Sequence, residues 1–324
     1  MKGISSHAVY WVALAHIPKW QAGKINYLID KIQMKKISLP TFFQLNPSRW
    51  KTEFQLSDDD ITDILHMKDG LPSLSFLIET LYEQGFDIVT INSDDYSKTL
   101  RRHLGKNNSP PLLYTKGNKE LLNQPTVTIV KSQNPSDLSL QFVKNITEKM
   151  IREKKILVSV INDHADRTPL DFFLKAQGKG IVVLSQGVLT SSQEIKFCYQ
   201  DIISGKLLII SPYSPNNPKS ASQIQTGSIL LLGLADEIYI ADLNYREELW
   251  PYIINGIKRN WRIYVREPEP GEKNTNQKLI DQGAIPVDIY GNPLVKLPPL
   301  TSDHPSNSIS NQPKSLIQAK LPLK

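Results

Sequence analysis

The chain has 324 residues, 40% of them hydrophobic and 22% charged, with a formal net charge of +6. That length and apolar content suffice for two domains with sizeable cores, and the sequence holds no run of about 18 apolar residues to span a bilayer. A single cysteine, Cys198, excludes an intrachain disulfide framework and a cysteine-rich zinc site.

The N-terminal stretch MKGISSHAVYWVALAHIPKW is interrupted by His7, His16 and Pro18 and lacks a small-residue cleavage site, so it reads as the mature N-terminus of a cytoplasmic protein. The first 90 residues lack strand-like alternation and predict a small helical module. Its helices are SHAVYWVALAHI, KINYLIDKIQ, SDDDITDILHM with an N-cap signal at Ser57 and acidic residues in its first turn, and SFLIETLYEQGF. A strand (DIVTINS), a short basic helix (SKTLRRHLGK) and a Pro-Pro bend leading into an extended segment follow.

From Thr126 the pattern changes to apolar strands alternating with helices: TVTIV, KILVSVI, GIVVLS, KLLIIS, DEIYIAD and RIYVRE. Phe142, Val143, Ile146 and Met150 share one face of the helix after the first of these strands. Such alternation predicts an α/β, Rossmann-like domain over residues 91–300, a parallel sheet with helices on both faces. Residues 301–324 are rich in Ser, Asn and Pro and read as a flexible tail. Cys198, in the predicted amphipathic helix EIKFCYQDI, reads as a packed core residue. The six histidines are scattered without the i, i+4 spacing of a helical metal site, so neither a metal nor a cofactor is expected.

The order of segments resembles the DNA-processing protein A (DprA/Smf) family, from the N-terminal helices to about Ala284. The residues that carry the resemblance are Tyr96, Leu100, Pro110, Pro111, Tyr114 and Gly117 in the lead-in to the Rossmann-like domain. Further on they are Val158, Ser159, Asp166, Leu174, Gly178 and Gly187, then Ser211 and Tyr213, and finally Asn276, Leu279, Gly283 and Ala284. By this resemblance the helical module is helix-hairpin-helix or SAM-like. The ligand pocket falls at Lys131, Ser132 and Gln133 where the family has Gly-Ser-Arg, at Asn162 and Asp166, and at Gly227 and Ser228 where it has Arg-Asn-Arg. The family's later Ser-Gly falls on Glu247 and Glu248.

Loss of the arginines removes bidentate phosphate contacts and the glutamates add repulsion, so a degenerate pocket is expected. Lys131 is either a residual point charge there or a solvated turn lysine. Asp166 reads first as the cap of the helix RTPLDFFLKA, with a chemical role as the rival. His164 has no nucleophile or orienting group that the sequence places beside it. In the helical module the expected Gly-x-Gly turn is replaced by AHIPKWQAGK, which leaves Lys19, Trp20 and Lys24 in a packing or docking unit.

Outside the pocket two basic clusters are candidate nucleic-acid contacts: Lys98, Arg101, Arg102 and Lys106, and then Lys258 and Arg259 beside Trp261. The resemblance implies a non-catalytic, dimeric, cytoplasmic protein acting in recombination or natural transformation, with single-stranded DNA, a recombinase or another DNA-handling protein as partner. The alternative is a nucleotide-sensing or scaffold protein of a multi-protein system such as phage defence. A nucleotide phosphoribohydrolase is disfavoured because that family's Pro-Gly-Gly-x-Gly-Thr stretch is absent.

Overall fold

The computed structural model describes residues 7–132, 134–161, 168–272 and 274–296; the predicted tail over 301–324 lies outside them. In chain order the described residues begin with α1 (Ala8–Ala15), α2 (Ala22–Met34), α3 (Leu39–Gln44), α4 (Pro47–Phe54), α5 (Asp58–Asp69) and α6 (Leu71–Glu83). Then come β1 (Asp87–Thr90), α7 (Lys98–Leu104), β2 (Leu112–Gly117), β3 (Thr126–Val130), α8 (Asp137–Arg152), β4 (Ile156–Ile161) and α9 (Thr168–Lys175). The rest are β5 (Lys179–Leu184), α10 (Ser192–Phe197), α11 (Tyr199–Ile203), β6 (Leu207–Ser211), α12 (Ala221–Leu234), β7 (Glu237–Ile240), α13 (Trp250–Lys258), β8 (Arg262–Arg266), α14 (Asn276–Asp281) and β9 (Ile285–Val287). This is the α/β, Rossmann-like architecture read from the sequence, preceded by helices.

The elements fall into two compact units, Met1–Asn123 with Ile181–Gln223, and Gln124–Gly180 with Ile224–Lys324. In the first unit the helices close around a core that includes Ile29, Phe42, Phe43, Trp50 and Phe54. Phe42 meets Phe54 edge to face at 5.0 Å, and the Trp50 indole donates to the Phe42 carbonyl at 2.9 Å, so the ring is buried with its one polar group satisfied. Helix starts are marked locally. Ser38 caps α3, Asn46 caps α4, and Ser57 forms a reciprocal capping box with Asp60 at α5. The AHIPKWQAGK turn is drawn inward: Trp20 donates to Asp63 at 2.9 Å and Lys24 pairs with Asp60.

The strands of the first unit run in the order β1, β2, β6, β5. β1 and β6 both pair with β2 antiparallel, so β2, which precedes the alternating strands, runs against its neighbours at this end of the mostly parallel sheet. The reason is local: α7 has only seven residues, and the turn after it delivers the chain to Pro111, whose carbonyl accepts the Ile91 N–H at 2.9 Å. Gly117 ends β2 at φ +114, and a Cβ there would lie 2.2 Å from the Leu207 carbonyl oxygen. The single amphipathic helix expected around Cys198 is two short helices, α10 and α11, that meet at the fully buried Cys198.

In the second unit the order is β4, β3, β7, β8, β9, and each adjacent pair is parallel. Phe142, Val143, Ile146 and Met150 of α8 are buried, as their common face predicts. Thr126 fixes the start of β3: its hydroxyl hydrogen-bonds the Leu234 carbonyl at 2.6 Å and Asp236 at 3.0 Å.

Candidate nucleic-acid interface

From β3 the chain goes on to β4 on one side, whereas β7 flanks β3 on the other, so the crevice beyond the C-terminal ends of β3 and β7 is where such sheets take ligands. β3 ends at Val130 and leads through Lys131 and Ser132 to Ser136, the N-cap of α8. The parallel ladder pairs Val130 with Ile240, which brings Ser132 beside Asp242. Asp242 is 6% exposed and accepts the Ser132 N–H at 2.8 Å and its hydroxyl at 3.0 Å. The amide that would receive a ligand anion is bonded to the chain's own carboxylate.

Beside it, burial pushes the Glu247 carboxyl above the usual carboxylate range and the Asp242 charge adds to this, against the Asn244 N–H and the Lys131 ammonium. Burial raises Glu248 as well. The charge of the half-buried Lys131 is felt by Glu247. At the end of β8, Arg266 is only 2% exposed. Its Nε donates to the Ala241 carbonyl at 3.1 Å, its Nη1 to the Glu267 carbonyl at 3.3 Å and to Glu272 Oε2 at 3.0 Å, and its Nη2 to Glu272 Oε1. Burial pushes the Glu272 carboxyl up, but the Arg266 and Glu269 hydrogen bonds outweigh it and hold the group below its ordinary range. Asn276 is fully buried and donates to the carbonyls of Ala241 and Arg266, which locks β7 to β8 at this edge.

Of the pocket residues expected by resemblance, Lys131 and Ser132 stand at this edge, while Gln133, Asn162 and Asp166 lie outside the described residues. Gly227 and Ser228 lie within α12; Gly227 is buried and the Ser228 hydroxyl donates back to the Ile224 carbonyl at 3.1 Å. Of the basic candidates, Lys98, Arg101 and Arg102 share α7 and are exposed, with Lys106 exposed in the turn that follows. Arg101 and Lys106 make contacts within the fold. Arg101 donates to the Ile91 carbonyl and lies 5.5 Å over the Tyr96 ring, and Lys106 pairs with Asp30. Lys258 and Arg259 are exposed at the end of α13 in the other unit, where Trp261 lies against Gly256.

Asp242, Arg266 and Glu272 are the residues that sequence reasoning missed. For Asp242 and Arg266 the available signal was a charged residue at the end of an apolar strand, in DEIYIAD and RIYVRE; Glu272, in the loop beyond, carried no such signal. Among the described residues no cluster of three or more His, Cys, Asp or Glu is arranged to hold a metal ion. No described helix is long and apolar enough to cross a membrane.

The family model described as DNA recombination-mediator protein A matches residues 87–289. Two curated relatives, both DNA processing protein DprA, are 22% identical over 170 residues (Bacillus subtilis) and 25% identical over 138 residues (Streptococcus pneumoniae). These matches span 52% and 43% of this chain and 56% and 49% of the relatives, about half their length. Among solved structures, DNA processing protein A from Streptococcus pneumoniae superposes with a TM-score of 0.69 at 17% identity, covering 88% of this chain and 95% of that one. The Helicobacter pylori protein, whose structure concerns its single-stranded DNA binding mode, gives a TM-score of 0.50 at 17% identity, covering 62% of this chain and 90% of its own. At such identity the structural likeness establishes the fold.

Proposed function

The chain belongs to the DNA recombination-mediator protein A family, and from that premise we propose that it is a non-catalytic DNA-processing protein that binds single-stranded DNA on its outer basic surface, its ligand edge being degenerate. The contact that carries this is Asp242 on the amide and hydroxyl of Ser132. A phosphate arriving there meets a buried carboxylate in place of a free N–H, with Glu247 near enough to feel the Asp242 charge, and the repulsion is strongest where the dielectric is lowest. The nucleotide-sensing alternative needs that same amide. Homodimerisation, a recombinase or other protein partner, and a cytoplasmic site of action come with the family and form part of the proposal.

Lys98, Arg101, Arg102 and Lys106 are then the cations offered to the DNA backbone, because all four are exposed on α7 and in the turn that follows it. Fluorescence anisotropy of a labelled single-stranded oligonucleotide over a salt series tests this. Replacing Lys98 and Arg102 together by alanine should weaken binding and flatten the salt slope by about 1.4, at roughly 0.7 per lost phosphate contact. Lys131→Ala should do much less. No binding by the unaltered protein at physiological salt would sink the proposal, and loss of binding in Lys131→Ala alone would move the DNA into the crevice.

A further inference from the structure

We propose that Arg266 is the cation of a phosphate-class anion site that Glu272 occupies from within the chain. This builds on the reading that the ligand edge is filled by the chain's own carboxylates, and it distinguishes the two: Asp242 is part of the fold and Glu272 is a displaceable occupant.

Arg266 lies at the end of a strand whose preceding residues Ile263, Tyr264 and Val265 are all buried. A guanidinium does not lose its proton, so the strand carries a full charge into the interior and requires an anion there. Its Nη1 and Nη2 meet the two oxygens of Glu272 as a fork, the geometry that a phosphate group satisfies equally well. Besides Arg266, Glu272 Oε2 accepts the Glu269 N–H of its own loop at 3.0 Å. Glu272 Oε1 also stands 3.4 Å from the hydroxyl of Ser136, the N-cap of the 16-residue α8, where the helix favours negative charge. The carboxylate is thus shared between a buried arginine and a helix N-terminus, as a bound oxyanion would be.

The two carboxylates differ in how they are held. Asp242 directly follows the β7 ladder and is 6% exposed. Glu272 belongs to no strand or helix. It follows Gly271 at φ +88, its neighbours Glu267, Glu269 and Gly271 are exposed, and its own side chain is 14% exposed. Withdrawing it breaks no strand ladder bond, only the local turn in which the Glu272 N–H donates to the Glu269 carbonyl and the Glu269 N–H to the Glu272 carboxylate, each at 3.0 Å, and it leaves the Arg266 fork open at the sheet edge.

The test is thermal unfolding of the full chain in chloride and in inorganic phosphate at matched ionic strength, for the unaltered protein, for Glu272→Gln and for Arg266→Met combined with Glu272→Gln. Glutamine keeps the shape and removes the charge, so Glu272→Gln should melt lower than the unaltered protein in chloride. Phosphate should raise its midpoint by about 3 °C in a saturable way beyond the general salt effect on the unaltered protein. The double variant should lose that extra response. An equal phosphate response in all three proteins overturns the proposal, because the anion is then not read by Arg266. Failure of Glu272→Gln to fold in both buffers also overturns it, because Glu272 is then an obligatory counter-ion. Folding of Glu272→Gln in phosphate alone supports it. None of these outcomes depends on oligonucleotide binding, so the DNA reading and this one fail separately.

Discussion

His16 is a residue whose behaviour follows from its neighbours. It caps the C-terminus of α1, its Nε2 is 2.9 Å from the Tyr114 hydroxyl, and the two rings stack at 5.8 Å with 6° between their planes. Burial lowers the imidazole from 6.5 to about 4, and it pushes the Tyr114 hydroxyl far above its ordinary range, so both groups are neutral at physiological pH. The folded pKa is the depressed one, so between about 4 and 6.5 the unfolded chain binds a proton that the folded chain refuses. Stability from this group is complete above the unfolded value and falls with pH through that window, by about 2 kcal/mol after allowance for partial exposure. Urea unfolding from pH 7 down to pH 4.5 should show the decline, and His16→Gln should flatten it. An unchanged profile in the variant would mean that other groups set the slope.

At the scale of elements, the helix starts that carry a side-chain cap were the most legible features. Ser57 and Asp60 were readable as the opening of α5, and the reciprocal bonds are both present at 3.2 Å. Ser57→Ala should cost about 1 kcal/mol in chemical denaturation. A midpoint equal to that of the unaltered protein would show that water replaces the cap. α3 and α4 were passed over although Ser38-Leu-Pro and Asn46-Pro carry the same N-cap and first-turn proline signals, because each helix is too short for its apolar spacing to stand out. The break at Cys198 was hidden for the opposite reason. Its surroundings keep helical periodicity, and only the burial of the thiol shows that the chain turns there.

For the whole molecule, the proposed DNA binding rests on a charge of +6 and on exposed cations of α7 and α13, groups that attract a polyanion at long range without directional readout of bases. Oligonucleotides of equal length and different base composition should therefore compete almost equally for the protein in an anisotropy assay. A strong preference for one composition would mean that bases enter a specific site. The candidate site itself was only half legible. Lys131 and Ser132 were placed at the strand-to-helix turn from the sequence, whereas the Asp242 carboxylate that meets Ser132 was not.

What the sequence determined by itself is the succession of helices and strands, their caps and the faces they bury. These depend on residues within a turn or two of one another, where spacing and side-chain type suffice. What only the tertiary structure decided is which charges meet. Ser132 and Asp242 are 110 positions apart, Ser136 and Glu272 are 136 apart, and Lys24 and Asp60 are 36 apart. The first of these meetings follows from the register that sets Val130 beside Ile240. A parallel ladder carries no turn that would write its register into the local sequence, so the contact exists only once both strands are packed in the same sheet.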